Sequence, residues 1–393
     1  MQIISINAGS SSLKFTLFEM SDESVIASGV FERIGSDGSC YTIKYRGEKI
    51  SETMEIATHT DAVRTLCDKL VSLEIVKSLS EIGGVGHRVV HGGHLYSESV
   101  LVTEKVIQDI LDFQDFAPLH NPSAVKGIRA FQEVLPDVPM ICVFDTAFHQ
   151  TLDEDAFLYA VPYQWYSEYG IRKYGFHGTS HRYITDTVRE LLGKDSFKLI
   201  SCHIGNGGSI AAIKDSKCVD TSMGFTPLAG IMMGTRSGDV DPSIIPYVME
   251  REGKSASEII EDLNKYSGML GLSEYSNDLR DIIEQCDLGN HRAIVAKDKY
   301  VRRIVDYIAQ YHVLLGGADI IVFTAGVGEM NVSIRREICE KLSCLGVKID
   351  LDKNNKKGEL VRLSTSDSSI LVYVIPTNEE LLIARDTMKF IDR

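Results

Sequence analysis

Two glycine-rich turns hold the residues of this chain best suited to receive an anion. Ile200-Ser-Cys-His-Ile-Gly-Asn-Gly-Gly-Ser-Ile-Ala-Ala-Ile213 reads as a buried strand, a glycine turn and a second strand. Glycine at 205, 207 and 208 permits positive φ and removes the side chains that would hold a ligand away from exposed N–H groups. Anions bind such turns. The chain opens on the same layout: Ile4-Ser-Ile-Asn-Ala-Gly-Ser-Ser-Ser-Leu-Lys-Phe15 aligns with it without gaps, Ile4 on Ile200, Ser5 on Ser201 and Gly9 on Gly205. One glycine turn alone carries little weight, because such turns join strands everywhere. An echo in each half points to duplicated hairpins suited to hold a nucleotide's phosphates between two lobes.

Two arginines lie in similar settings. Arg88 sits in Val85-Gly-His-Arg-Val-Val-His-Gly-Gly93 and Arg236 in Gly234-Thr-Arg-Ser-Gly-Asp-Val-Asp-Pro242. The usual fate of an arginine is a surface ion pair, but in a glycine-bounded turn the planar guanidinium can grip a carboxylate or phosphoryl group bidentately. His87, His91, His120, His177, His181 and His203 gather in the same polar stretches. Of these, His87, His91 and His181 read as structural residues or caps. His177 directly precedes a helix that Thr179 or Ser180 can cap, which places it beside the positive end of the dipole. His120 precedes Asn121-Pro122, a helix start with Asn as cap and Pro in the first helical position. Asp145 leaves the carboxyl end of the apolar strand Met140–Phe144, where ligands of open α/β sheets bind, as a metal ligand or an arginine partner. Glu380, three residues after Thr377, fits a capping box, which leaves Glu379 free for another task. No pair of histidines at metal spacing on a helix is accompanied by a suitable acid.

The elements that must position these groups alternate strand and helix over 393 residues, enough for roughly two to three domains. A 44% hydrophobic, 24% charged composition describes a globular α/β protein with sizeable cores. After the first hairpin come further strands to residue 57, then helices from Thr58, from Asn121, from Ser255 with its Glu258 capping box, and from Asn290 to Leu315. Ile320–Thr324 is a buried strand that feeds Ala325-Gly-Val-Gly-Glu329 into a helix. A domain boundary falls near residue 150. The net charge of −14 argues against a nucleic-acid partner. The N-terminus carries no basic region before its apolar run, and no stretch approaches the roughly 18 apolar residues of a membrane span. Eight scattered cysteines without a Cys-x-x-Cys pair read as reduced core residues, and the expected location is cytoplasmic.

Asn7 to Lys14, the His87 to Gly93 block, Phe144-Asp-Thr-Ala-Phe-His149, Tyr174 to His181, the second hairpin, the Arg236 loop and Thr377-Asn-Glu-Glu380 occur in this order over nearly the whole chain. Together they resemble the acetate kinase family. The resemblance implies two related lobes of a duplicated actin-like ATPase (ribonuclease H-like) fold with the active site in the interlobe cleft. Residues 1–150, with 381–393 returning, would form the N-terminal lobe, and 151–380 the nucleotide-binding C-terminal lobe. It implies a homodimer that transfers a phosphoryl group in line and reversibly between ATP and acetate, giving acetyl phosphate and ADP, with Mg2+ or alternatively Mn2+. By position, the resemblance assigns Asn7 and Glu379 to the metal and Ser10, Ser12 and Lys14 to the phosphate region. Arg88 and Arg236 hold acetate and the phosphoryl group, Asp145 orients Arg236 or helps position the metal, and His177 bonds the phosphoryl oxygens. Val90, Leu119, Phe176 and Pro227 form the methyl pocket, with His120 and His203 lining the cleft. Ile204, Gly205, Asn206, Gly207, Gly208, Gly326, Val327 and Gly328 match the nucleotide contacts. Met330 departs from the family, which usually has Asn directly after Glu329, and leaves the nucleotide preference open. A sister propionate or butyrate kinase, or a nucleotide-dependent switch protein, is the alternative; the switch would have no use for both arginines beside an apolar pocket.

Overall fold

A computed structural model describes residues 1–391. Residues 392 and 393, the end of the segment expected to return to the first lobe, lie outside the described residues. The chain forms two compact units, Met1–Gln150 together with the segment from Asn378, and Thr151–Thr377. Each is an α/β unit built on one mixed sheet.

In the first unit the strands are β1 (Gln2–Ala8), β2 (Ser12–Glu19), β3 (Ser24–Glu32), β4 (Cys40–Tyr45), β5 (Glu48–Thr53), β6 (Ile82–Val89), β7 (Val100–Leu101) and β8 (Met140–Phe144). They are ordered β5-β4-β3-β2-β1-β6-β8-β7. In the second they are β9 (Lys198–Ile204), β10 (Gly208–Lys214), β11 (Lys217–Thr221), β12 (Ile320–Thr324), β13 (Val361–Arg362) and β14 (Leu371–Val374), ordered β11-β10-β9-β12-β14-β13. The run β3-β2-β1-β6-β8 is therefore matched strand for strand by β11-β10-β9-β12-β14. The pairing sense agrees as well: the first two contacts are antiparallel and the last two parallel in both units. A shared order with shared directions is what a duplicated unit leaves behind. Strands β8 and β12 are buried at every residue, as strands covered on both faces are.

Helices cover both faces of the first sheet. Val63 and Leu66 of helix His59–Ser72 and Phe131 of helix Asn121–Val134 share a core with Ile4, Ile6 and Val85. On the opposite face Ile141 and Val143 meet Ile383 of the last helix, Glu379–Ile391. Glycine makes that second contact possible: a Cβ on Gly86 would lie 2.3 Å from Thr387 Oγ1 and 2.5 Å from Ile383 Cγ2. The absence of a side chain there lets the last helix lie directly on the strand that carries Arg88.

Local signals held in most places and shifted in others. Thr58 with Asp61 and Ser255 with Glu258 form capping boxes, and Asn290 caps the long helix His291–Leu314. Asn121, expected as a cap, is instead fully buried, and its side-chain amide accepts from His91 N and donates to the His91 and Ile110 carbonyls. His120 stands at the cap position without a capping bond. The last helix is capped by Asn378, whose Oδ1 accepts from Leu381 N, so Glu380 has no capping box with Thr377. The two hairpins also differ by one residue across the turn, since Ala8 pairs with Leu13 but Ile204 with Gly208. Their gapless alignment therefore holds along the first strand and slips along the second.

Candidate active site

In the first unit, Arg88 on β6 and Asp145 just beyond the neighbouring β8 form a bidentate pair. Nε donates to Oδ1 at 3.0 Å and Nη2 to Oδ2 at 2.6 Å. Parallel pairing of Arg88 with Val143 sets this reach, and a backbone bond from Asp145 N to Val89 O fixes the exit of β8. Asp145 is 1% exposed, so its charge must be balanced, and its proximity raises the Arg88 pKa further still. Arg88, Asn7, Lys14, Glu379 and Glu380 line one small cavity of about 30 Å³. Burial pushes the Glu379 carboxyl up to about 7, against the pull of Arg88 and with the help of Asp145 and Glu380. A carboxylate so short of solvation favours a cation. Glu379 and the Asn7 amide are hard oxygen donors, of the kind Mg2+ uses when phosphates supply its other ligands. Among the described residues no group of three or more His, Cys, Asp and Glu could hold a metal by itself.

The second unit carries a different constellation. His177 occupies the left-handed region at φ 55° immediately before helix Gly178–Leu192, with no side-chain capping bond. The expected capping by Ser180 does not form, because its hydroxyl bonds His203 Nδ1 at 2.8 Å and Thr377 Oγ1 at 2.9 Å. The His177 and His203 rings stack with centroids 4.1 Å apart. Ser209 on β10 holds His177 Nδ1 at 2.9 Å. Gly207 brings the turn beneath this pair: a Cβ there would lie 3.4 Å from Arg236 Nη1 and 3.9 Å from His177 Nε2. Arg236 is held by the Pro227 carbonyl at 3.3 Å and Met233 Sδ at 3.7 Å, and has no carboxylate partner among the described residues. Burial of this uncompensated cation lowers its pKa. Its loop is anchored by Asp239, which accepts from Gly230 N, Arg303 and Tyr307.

Beside the same hairpin lies a cavity of about 1000 Å³ lined by Gly205, Asn206, Gly326, Val327 and Met330, together with Asn277 to Arg280, Ser333, Arg336 and Lys357. It is large enough for a nucleoside phosphate. Ala325 takes the left-handed conformation, φ 63°, directly after β12, and Glu329 Oε1 accepts from Ala325 N at 2.8 Å and from Thr377 N at 3.1 Å. Arg335, fully buried, donates to the carbonyls of Gly328, Glu329, Asn354 and Lys356, so one side chain ties two walls of the cavity.

The expected site residues fall in different settings. None of Gly9, Gly205, Gly207 and Gly208 has positive φ, so their backbone angles do not call for glycine; a Cβ on Gly9, Gly205 or Gly208 would crowd its neighbours, whereas one on Gly207 would not. Asp145 holds Arg88 bidentately within its own unit. Ser12 and Ser10 do not line the Glu379 cavity. Ile204 is 1% exposed within its strand, and Gly328 packs against Phe323, so neither lines the large cavity. Of the methyl-pocket residues, Phe176 is buried and Leu119 is 66% exposed, while Val90 and Pro227 are half-buried. His120 is exposed. Among the histidines expected to be structural, His181 is satisfied by two serines, whereas buried His87 has an unpartnered Nε2 and packs edge-on to Phe131. The strip Asn277–Arg280 escaped sequence reading; its one signal was Asp278 capping a helix at Leu279.

The Acetokinase family model matches residues 2–385. An acetate kinase of Bacillus cytotoxicus is 55% identical over 99% of this chain and 98% of its own. Among solved structures, Porphyromonas gingivalis acetate kinase is 43% identical with a TM-score of 0.95, and a Francisella tularensis propionate kinase 40% identical with 0.93, each alignment covering 99% of both chains. The match over nearly the full length, on a fold whose two halves repeat one strand order, shows that the chain belongs to the acetokinase family.

Proposed function

We propose that this chain transfers the γ-phosphoryl group of ATP to acetate, giving acetyl phosphate and ADP, and runs the reaction in reverse. The observation that carries the reading is Arg236, a half-buried guanidinium without a carboxylate among the described residues, set beside His177 over a glycine. A partly desolvated cation without a counter-charge costs stability and is kept where an anion completes it. Phosphoryl transfer fits, because its loose transition state spreads charge over equatorial oxygens and asks for positioned cations and donors rather than a protein nucleophile. Acetate is already an anion at neutral pH, so the reaction needs no general base.

The residues divide the work. Arg236 and His177 meet the transferring group, while Arg88, locked by Asp145, presents its remaining N–H groups to the carboxylate. Val90, Leu119, Phe176 and Pro227 receive the methyl group, with His120 beside it. Asn206 and Gly207 approach the phosphates, and the cavity at Gly326 and Val327 takes the nucleoside, with Met330 setting base preference. Asn7 and Glu379 hold Mg2+, which when bound neutralises phosphate charge. Lys14 adds a further cation near them. The similarity to both an acetate and a propionate kinase favours a small acyl pocket, and one methylene is worth only about 1 to 3 kcal/mol, so some propionate turnover accompanies acetate. We also infer a homodimer; Tyr163, Trp165 and Tyr169 of one short helix are 61%, 44% and 58% exposed, which supports a covered surface there, and light scattering of the purified chain tests it.

Trapping acyl phosphate with hydroxylamine tests the reading directly. Mg-ATP with acetate is expected to give the strongest signal, propionate a weaker one and butyrate the weakest. Signal only with longer acids assigns the sister activity, and none with ATP, GTP or pyrophosphate from folded protein refutes the kinase reading.

A further inference from the structure

We propose that His181, Ser209 and Ser201 are positioning residues that decide which ring nitrogen of His177 carries the proton. The inference rests on the phosphoryl-transfer reading only for its effect on rate. It begins from a hydrogen-bonded chain on β9, β10 and helix Gly178–Leu192. Ser209 Oγ lies 2.9 Å from His177 Nδ1 and 2.8 Å from His181 Nε2, and His181 Nδ1 lies 2.9 Å from Ser201 Oγ. Ser201, Ser209 and His181 are all fully buried.

A hydroxyl has one proton to give. Ser209 stands between two imidazole nitrogens, so it donates to one and accepts from the other. Ser201 settles the direction. Among the described residues its hydroxyl has one hydrogen-bond partner, His181 Nδ1. If His181 Nδ1 carried the proton, the Ser201 hydroxyl hydrogen would be buried without an acceptor, an arrangement proteins avoid. Ser201 therefore donates to His181 Nδ1. The proton of neutral His181 then resides on Nε2 and is given to Ser209, and Ser209 donates to His177 Nδ1. His177 is left as the Nε2–H tautomer.

That outcome matters because Nε2 is the edge of His177 turned toward Gly207 and, through it, the side on which Arg236 Nη1 stands. A neutral imidazole with Nε2–H offers a donor to a phosphoryl oxygen. The other tautomer would offer a lone pair to an anion and repel it. The serines so far without an assigned task thus become the reason a neutral histidine can serve an anionic transition state, in the manner of the outer partners that fix ligand histidines elsewhere.

Two measurements test this. In protein labelled with 15N-histidine, ring nitrogen NMR, with His177 assigned by its loss in His177→Gln, is expected to report the Nε2–H tautomer in the wild type. Ser209→Ala is expected to redistribute the His177 proton and to lower kcat on the order of 10- to 100-fold with KM for MgATP nearly unchanged. His181→Gln, whose amide nitrogen remains an obligate donor toward Ser209, is expected to keep the tautomer and most of the rate. A wild-type His177 protonated mainly on Nδ1, or His181→Gln and Ser209→Ala equally impaired with no change in tautomer, overturns the proposal. Should Ser209→Ala fail to fold, Ser201→Ala carries the same expectation with a smaller effect. The NMR reading needs no substrate, so it stands apart from the identity of the acyl acceptor.

Discussion

Arg88 and Arg236 look alike in the sequence, each an arginine in a glycine-bounded turn, yet the protein treats them oppositely. Arg88 is clamped by a buried carboxylate that cancels its charge and fixes its plane. Arg236 is left with a carbonyl and a thioether, its charge desolvated and unbalanced. The sheets beneath them share one strand order, so the difference belongs to the loops and not to the fold. One unit uses its acid to orient its arginine; the other leaves its arginine without a carboxylate among the described residues.

Removing each arginine should therefore separate function from stability. Arg236→Ala is expected to lower turnover on the order of 10³-fold, as for other arginines that meet a transferring phosphoryl group. Its urea midpoint should hold or rise, because a half-buried charge without a counter-charge has gone. A variant that loses stability along with activity would break the contrast. Arg88→Ala should behave in the opposite sense. It removes the bidentate partner of Asp145, which is 1% exposed, and is expected to destabilise the protein by about 3 kcal/mol in addition to weakening acetate use. Asp145→Asn paired with Arg88→Ala should restore most of that stability, while an equal loss in the double variant would show that the pair is not the cause.

Glu379 gives a smaller, pH-dependent effect in the metal-free protein. Its folded pKa of about 7 lies above the ordinary 4.5, so the folded state binds the proton more tightly. Stability from this group is therefore full below about 4.5, falls as pH rises through the window and levels above 7, a loss of roughly 2 kcal/mol after allowing for partial exposure. Denaturant melts of wild type and Glu379→Gln from pH 5 to about 8 should diverge by that amount, the variant becoming relatively more stable at the upper end. Parallel curves would return Glu379 to an ordinary helix-start acid.

Much of this was legible from local pattern. Apolar runs gave β8 and β12, and capping chemistry located the helices at Thr58, Ser255 and Asn290. The glycine turns and the arginines were legible because chemistry concentrated in short polar stretches stands out. What was hidden depends on partners distant in sequence. Nothing in the Arg88 turn announces a carboxylate 57 residues away, and nothing near Asn121 shows that its amide is needed by the His91 backbone 30 residues earlier. The Asn277–Arg280 wall lacks glycines or a repeat, and it becomes part of a cavity only when tertiary folding brings it to the second hairpin. The one-residue difference between the hairpins was likewise invisible, because serine and glycine fit either register at a turn.

The hairpins themselves supply the finest comparison. A Cβ on Gly9 would come within 2.7 Å of Ser12 Oγ, the movable end of a side chain that can rotate away. Gly9→Ala should thus cost little, and its kinetic constants should stay within about twofold. A Cβ on Gly207 meets nothing closer than Arg236 Nη1 at 3.4 Å, so Gly207→Ala should fold as well as wild type. Yet that methyl group would fill the opening between Arg236 and His177, where the proposed phosphate would approach the backbone. Displacing it by enough to forfeit one hydrogen bond, worth about 1 kcal/mol, should raise KM for MgATP roughly fivefold. Equal KM values in the two variants would mean that the serine-rich turn and the glycine-rich turn hold phosphate alike, and that the contrast lies in the arginines alone.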